Sequence, residues 1–408
     1  MQILVDEMEE SLWVCTVKKS KLTGLEIDPA EEEVRWGSVY WARVTHIDKA
    51  MDAAYVQLDE DNTGILYNKD VRIKDAKGKF KKGGDVAIGK LLRPGEMIAV
   101  QAKSGYLPRL DSMDLTIEDK SPVVSMNITL PGRHLIYSPM LSENRISKRI
   151  FEKKQRKQLT KMLNNVENLK GCILRASAAN TQTDVLIREG NILKHIWEEL
   201  QTYLKGEEAC LIMEGPDALQ RTLSDNASGF IDSIHIVTME QYQHVEEWCE
   251  IYAPDLVTKI KPIELPNQEA DLGLFDFYDV LDQIEDLFQP YVLLPAGGNI
   301  IIQETAALCA IDVNRGGDNR SNLTINLEAL SEIGRQIRLR NLGGIIVVDF
   351  LKMTSKKERE SLLEALNSIV IDDPCTVQIH GMTKLGLVEI TRNRRTPPLQ
   401  DRLDLALD

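Results

Sequence analysis

The sequence has only six cysteines (Cys15, Cys172, Cys210, Cys249, Cys309 and Cys375), and none forms a CxxC pair. That spacing argues against both a disulfide framework and a structural zinc site, and predicts buried thiols in a reducing compartment. No apolar run approaches the ~20 residues of a membrane helix, so no membrane partner is expected. The N-terminal stretch MQILVDEMEES is acidic and lacks the basic region and apolar block of a secretory signal, which predicts a cytoplasmic location. Basic excess is also missing. A net charge of −14 argues against indiscriminate nucleic-acid binding but leaves room for a local basic groove, because phosphates respond to charge within about a Debye length.

What is present suits a globular protein. With 408 residues and 43% hydrophobic content, the chain can bury a sizeable core, in roughly two to four domains. Residues 1–30 read as three strands, ILV, LWVCTV and LTGLEI. From Val34 to about Met126 the pattern is short-stranded: VYWARVTHI, AAYVQL, TGILY and MIAVQA lie between turn residues, as in a small barrel of the OB type. A basic stretch, KDVRIKDAKGKFKKGG, lies near Tyr67 and Phe80, where cations could meet phosphates and rings could stack on bases. Residues 127–222 read as mixed α and β, with helices over Ser147–Asn164 and Thr183–Leu204 and strands near CILRAS and ACLIME. SIHIVT is a further strand, and Pro262–Pro266 a linker-like passage.

The last third is the most regular. NIIIQET and ALCAIDVN read as strands, and Leu323–Leu342 as a helix with Leu323, Leu327, Leu330, Ile333 and Ile337 on one face. GGIIVVDF reads as a buried strand, Lys356–Ile369 as a second helix, and TVQIH and LGLVEIT as a final pair. A single helix between CAIDVN and IIVVDF is a crossover that sets parallel strands side by side, so Asp312 and Asp349 should project from one carboxyl edge. Two carboxylates ~4 Å apart repel by about 4 kcal/mol at an effective dielectric near 20. A shared proton, a cationic side chain or a metal must offset that. Paired hard oxygens suit Mg²⁺, and Asn314, two residues beyond Asp312, faces the same way. The glycines that follow would let the backbone approach a substrate. The simpler alternative is that each aspartate caps the next helix. GDVAIGKL at Gly84–Leu91 nearly spells a phosphate loop, but Leu91 stands where the metal-binding hydroxyl belongs.

ALCAIDVNRGGD, INLEALSEIGRQIRLRNLGGIIVVDFLKM and LGLVEITRNRRTPPL resemble the catalytic region of the ribonuclease E/G family, over nearly the whole chain. The resemblance implies a multidomain α+β and α/β fold. An RNase H-like subdomain (1–35 with 223–286) would be interrupted by an S1 barrel of the OB type (36–126) and a 5′-sensor-like region (127–222), and followed by a DNase I-like subdomain (287–408). It implies Mg²⁺-dependent cleavage of single-stranded RNA to 5′-phosphate and 3′-hydroxyl ends, in RNA processing or decay. Asp312 and Asp349 would bind the metal and Asn314 would support catalysis. Tyr55 would be the first stacking aromatic, Lys120 a basic residue near the end of the barrel, Lys148 and Arg149 of ISKRI backbone contacts, and Arg175 part of a 5′-monophosphate pocket. Several positions depart from the family pattern. Ile65 replaces the second aromatic, which shifts stacking toward Tyr67. Ala176 and Thr376 replace a threonine and an arginine of the 5′ pocket, which predicts weak preference for monophosphorylated ends. Ala306 and Lys352 remove acidic residues near the metal site, although Glu304 is close. A catalytically weakened RNA-binding homologue is therefore the alternative reading. The chain stops before the family's CPxC zinc link, so no zinc-linked dimer is expected; another oligomer is compatible with the sequence.

Overall fold

Alternating apolar and polar residues set the sheets of this chain, and the computed structural model shows which face of each is covered. It describes residues 1–406 apart from 9, 31, 75–79, 106–120, 148–149, 151–152, 166–168, 266–272, 306 and 372. The chain divides into two units, one of residues 1–30, 231–245 and 258–408, the other of residues 31–230 and 246–257.

The first unit holds two sheets. In one, Lys21–Asp28, Ser11–Lys18 and Gln2–Met8 form an antiparallel meander, and Gln2–Met8 runs parallel to Ser233–Ile236, itself parallel to Ile260–Pro262. Pro262 was expected in a linker; it instead ends an edge strand, where a residue without an N–H is tolerated. The second sheet has six strands: β1 (Tyr291–Leu293), β2 (Asn299–Glu304), β3 (Leu308–Asn314), β4 (Gly344–Asp349), β5 (Thr376–Met382) and β6 (Val388–Asn393), in the order β1-β2-β3-β4-β6-β5. Only β3 and β4 are parallel neighbours.

Helix α1 (Asn322–Leu339) makes the crossover from β3 to β4, and α2 (Lys356–Val370) joins β4 to β5. Ile325, Ile333, Ile337, Leu362 and Leu366 from these helices share one core with Ile311, Val313, Ile346 and Val348 of the sheet. The helices approach closely at Gly334, where an added Cβ would lie 2.3 Å from the Cγ2 of Ile369. Both cover the same face. GGIIVVDF is therefore not buried on both sides as its composition suggested: Ile346 and Val348 are fully covered, while Ile345 remains 49% exposed.

In the second unit five strands close into an OB-like barrel. Val39–Asp48, Ala53–Gln57, Thr63–Tyr67, Val123–Ser125 and Met97–Ala102 pair in that order, and the last returns to the first. Val44, Val56, Leu66, Val100 and Val124 fill its interior. Gly84–Leu91 is part of this barrel. Its Ile88–Lys90 stretch is a single 3-10 turn with Ile88 in the core, so no phosphate loop forms. Beyond the barrel, a four-stranded sheet packs with helices Lys153–Asn165 and Thr183–Tyr203. The helix expected from Ser147 is not helical there, because the Ser147 N–H bonds to the carbonyl of Leu174 as an extension of strand pairing. Five cysteines are buried as expected, but Cys210 is exposed on a strand added to the outer edge of the barrel. Among the described residues no helix is long and apolar enough to cross a membrane.

Candidate active site

Along β3 the side chains alternate strictly. Cys309, Ile311 and Val313 point into the helix-covered core, and Ala310, Asp312 and Asn314 point to the open face. On β4, Ile346 and Val348 are buried and Asp349 is exposed. Asp312 and Asp349 are direct partners in the parallel register, so their strands hold them about 4.8 Å apart at the backbone. The Nδ2 of Asn314 donates to the Oδ2 of Asp312 over 2.9 Å. Sequence reasoning thus placed all three residues together correctly. Helix capping does not explain them: Ser321 caps α1 by accepting the Thr324 N–H, and Ser355 caps α2 in a reciprocal box with Glu358. Among the described residues neither carboxylate forms an ion pair with a lysine or arginine.

The turn after β3 is held by its own side chains. Arg315 donates to the carbonyls of Asp318 and Arg320 and to Asn322, and Arg320 chelates Asp318, keeping that carboxyl below the usual range. Gly316 serves this turn: it has a φ of 55°, and a Cβ on it would lie 2.3 Å from the Gly297 carbonyl oxygen, whereas a Cβ on Gly317 would meet open space. The turn after β4 is fixed by a residue that sequence reading passed over. Asn326 is fully buried on the apolar face of α1; its Oδ1 accepts the Leu351 N–H, and its Nδ2 donates to the Leu351 carbonyl. An asparagine inside an otherwise apolar stripe was the available signal. Glu304 cannot stand in for a missing acid, because it pairs with Cys309 on the side of the sheet away from Asp312. Lys352 is exposed three residues beyond Asp349, and Ala306 lies outside the described residues.

The donor set fits a hard cation that keeps waters. Two carboxylates and a neighbouring amide oxygen are what the chain supplies, and Mg²⁺ is usually held by one or two carboxylates with the remaining positions left to water and phosphate. Among the described residues no group of three or more histidine, cysteine, aspartate or glutamate side chains converges on one point, as a closed protein cage would need.

On the outer face of the barrel, Tyr55 pairs with Ile65 on one side and with His46 on the other, and Tyr67 pairs with Ala53. The Tyr55 ring lies 6.1 Å from that of His46, and the Nζ of Lys69 sits 5.6 Å over the Tyr67 ring. His46 was missed because the alternation of VYWARVTHI sets it inward with Tyr40, Ala42 and Val44; a register shift between Val44 and His46 turns it outward. Lys120, Lys148, Arg149 and Lys79 lie outside the described residues.

Comparison with known proteins settles the lineage. A model of the Ribonuclease E/G family matches residues 129–395. The chain belongs to the Ribonuclease E/G family. Ribonuclease G of Salmonella typhimurium (strain SL1344) is 31% identical over 369 residues, covering 88% of this chain and 72% of the relative. Ribonuclease G of Escherichia coli K12 is 30% identical over the same shares. Ribonuclease E of Haemophilus influenzae is 28% identical over 401 residues, 96% of this chain but 41% of the relative.

In this member of the Ribonuclease E/G family, Arg175 is engaged within its own unit. Its guanidinium bonds to Asp225 at 3.0 Å and to the Gly132 carbonyl at 3.0 Å, so the charge is already matched. Close by, Glu189 accepts the N–H groups of His134 and Leu135. Burial pushes the Glu189 carboxyl up and the His134 imidazole down to about 4. Thr376 belongs to the other unit, exposed at the start of β5.

Proposed function

We propose that this chain is a Mg²⁺-dependent endoribonuclease that cleaves single-stranded RNA to 5′-phosphate and 3′-hydroxyl ends, in RNA processing or decay. The supporting observation is the register that sets Asp312 beside Asp349 on an open sheet face, with neither used as a cap nor, among the described residues, matched by a cationic side chain. The names of the relatives agree with this reading. Asp312 and Asp349 would hold the cation, which when bound neutralises phosphoryl charge and lowers the pKa of a bound water. Asn314 spends one N–H on Asp312; its carbonyl oxygen and second N–H are left to orient the attacking water or the scissile phosphate. The water oxygen bonds to phosphorus as the bond to the 3′-oxygen breaks, and the 3′-oxygen takes up a proton. In domain terms, the first sheet would be the RNase H-like subdomain, the barrel an S1 domain and the second sheet with its helices the DNase I-like subdomain. Incubating the protein with a labelled AU-rich single strand, with Mg²⁺ or with a chelator, tests the proposal: cutting should require the metal. Binding without cutting would select the alternative of an RNA-binding homologue, which the exposed cation Lys352, three residues beyond Asp349, favours.

Two further expectations follow from the second unit. Tyr55→Ala should weaken single-strand binding about tenfold through lost stacking, with an unchanged slope of log affinity against log salt, because a ring displaces no counterions. Equal affinity of variant and wild type would return that face to ordinary barrel surface. The 5′ end should matter little. With Arg175 committed to Asp225, few charge-assisted bonds remain for a terminal phosphate. Substrates differing only in a monophosphate, triphosphate or hydroxyl 5′ end should be cut at rates within about threefold of one another, a span worth under 1 kcal/mol. A large monophosphate advantage would refute this.

A further inference from the structure

The open face of the second sheet carries more than the two aspartates and Asn314. Tyr291 on β1 pairs with Ile301 on β2, Ile301 with Asp312 on β3, and Asp312 with Asp349 on β4. Paired residues share a face, so an aromatic ring, an isoleucine and both carboxylates form one row across four strands. The next row runs Leu293, Asn299, Asn314. At about 4.8 Å per strand, Tyr291 lies roughly 10 Å from Asp312, within reach of a neighbouring nucleotide. Tyr291 is 54% exposed and Leu293 74%, although Val292 between them packs into the core. Two large apolar side chains left uncovered on a sheet edge, in line with the carboxylates, call for an occupant.

We propose that Tyr291 is a base-stacking platform for the RNA strand whose backbone crosses Asp312 and Asp349, with Leu293 flanking the ring and Ile301 flooring the path between them. The proposal rests on the nuclease reading above. Neither row holds a cation, so recognition at this end is by stacking on a base and not by pairing with a phosphate. A second copy of the chain is a poorer fit, because the same face continues into Gln303, Glu389, Gln378 and His380, too polar for the core of a permanent interface.

The test uses the full chain as wild type, Tyr291→Phe and Tyr291→Ala, each also in an Asp312→Asn background that permits binding to be read without cutting. The probe is an AU-rich single strand with 2-aminopurine placed at successive positions. Tyr291→Ala should raise KM and Kd about tenfold and abolish the fluorescence quench at one position, and Tyr291→Phe should keep both. Tyr291 is more than half exposed, so its truncation leaves the core untouched. Unchanged affinity and quench in Tyr291→Ala would overturn the platform even if Asp312→Asn abolishes cutting. Conversely, if Asp312→Asn cuts like wild type while binding still depends on the ring, the assignment of the chemistry to Asp312 fails and the platform stands. Sedimentation adds a last check: a dimer that Tyr291→Ala dissociates without loss of RNA affinity would also overturn it.

Discussion

Asp312→Asn should lower the rate of RNA cleavage by about a thousandfold or more while leaving binding of the same strand in chelator unchanged. The substitution keeps the shape of the side chain and removes one unit of charge from a site whose proposed task is to hold a divalent cation. Losing about 4 kcal/mol of charge stabilisation in the transition state corresponds to that factor. Asp349→Asn should do the same, since the two residues are direct register partners. The double variant should be little worse than either single one, because groups that act as a unit do not contribute additively. Folding stability offers an independent check with the opposite sign: like charges on neighbouring strands repel, so neutralising one should raise the unfolding midpoint slightly. Single-turnover cleavage and thermal unfolding on the same preparations decide between outcomes. Cutting that persists in both variants would move the chemistry elsewhere in the molecule.

How much of this was legible in the sequence depended on whether the signal was local. The β3–α1–β4 crossover declared itself through two apolar strands around an amphipathic helix, and from it the meeting of Asp312 and Asp349 followed. Which face of the sheet would stay open did not follow. Ile345 and Val347 read as core residues, because a four-residue apolar run cannot distinguish a strand covered on both sides from one covered on a single side. Tyr291 was invisible for the same reason. Its importance lies in a register with Asp312 that passes through Ile301, and no local pattern encodes pairing across three strands. The glycines after Asn314 were recognised as a close approach, and at Gly316 the approaching group is the Gly297 backbone. Arg175 shows a further limit: its type suits a phosphate, and only the fold reveals that Asp225 already holds it.

Arg392→Ala should cost about 3–5 kcal/mol of stability, the largest loss expected from a single side chain outside the site. Arg392 is 2% exposed on β6, facing the helices. Its Nε donates to Asp373 at 2.9 Å, and its guanidinium also reaches the Oδ1 of Asn341 and the Leu342 carbonyl, each at 2.8 Å. Asn341 follows α1 with a φ of 49°, and its amide donates to Thr396 and Pro397. One guanidinium therefore ties together the end of α1, the approach to β4, the turn before β5 and strand β6. Truncation removes its donors from three buried acceptors and leaves a cavity. The ionic share can be separated from the packing share. Arg392→Met keeps most of the volume, and Arg392→Met with Asp373→Leu also removes the carboxylate, so the double variant should recover part of the loss. Urea unfolding of the four proteins measures this, and a loss under about 1 kcal/mol for Arg392→Ala would show the network to be dispensable. The contrast with Asp312→Asn is the useful one. The far end of β4 carries Asp349, so Arg392→Ala should depress cleavage only as far as it unfolds the sheet, and a stabilising solute such as sucrose should restore cleavage in Arg392→Ala but not in Asp312→Asn.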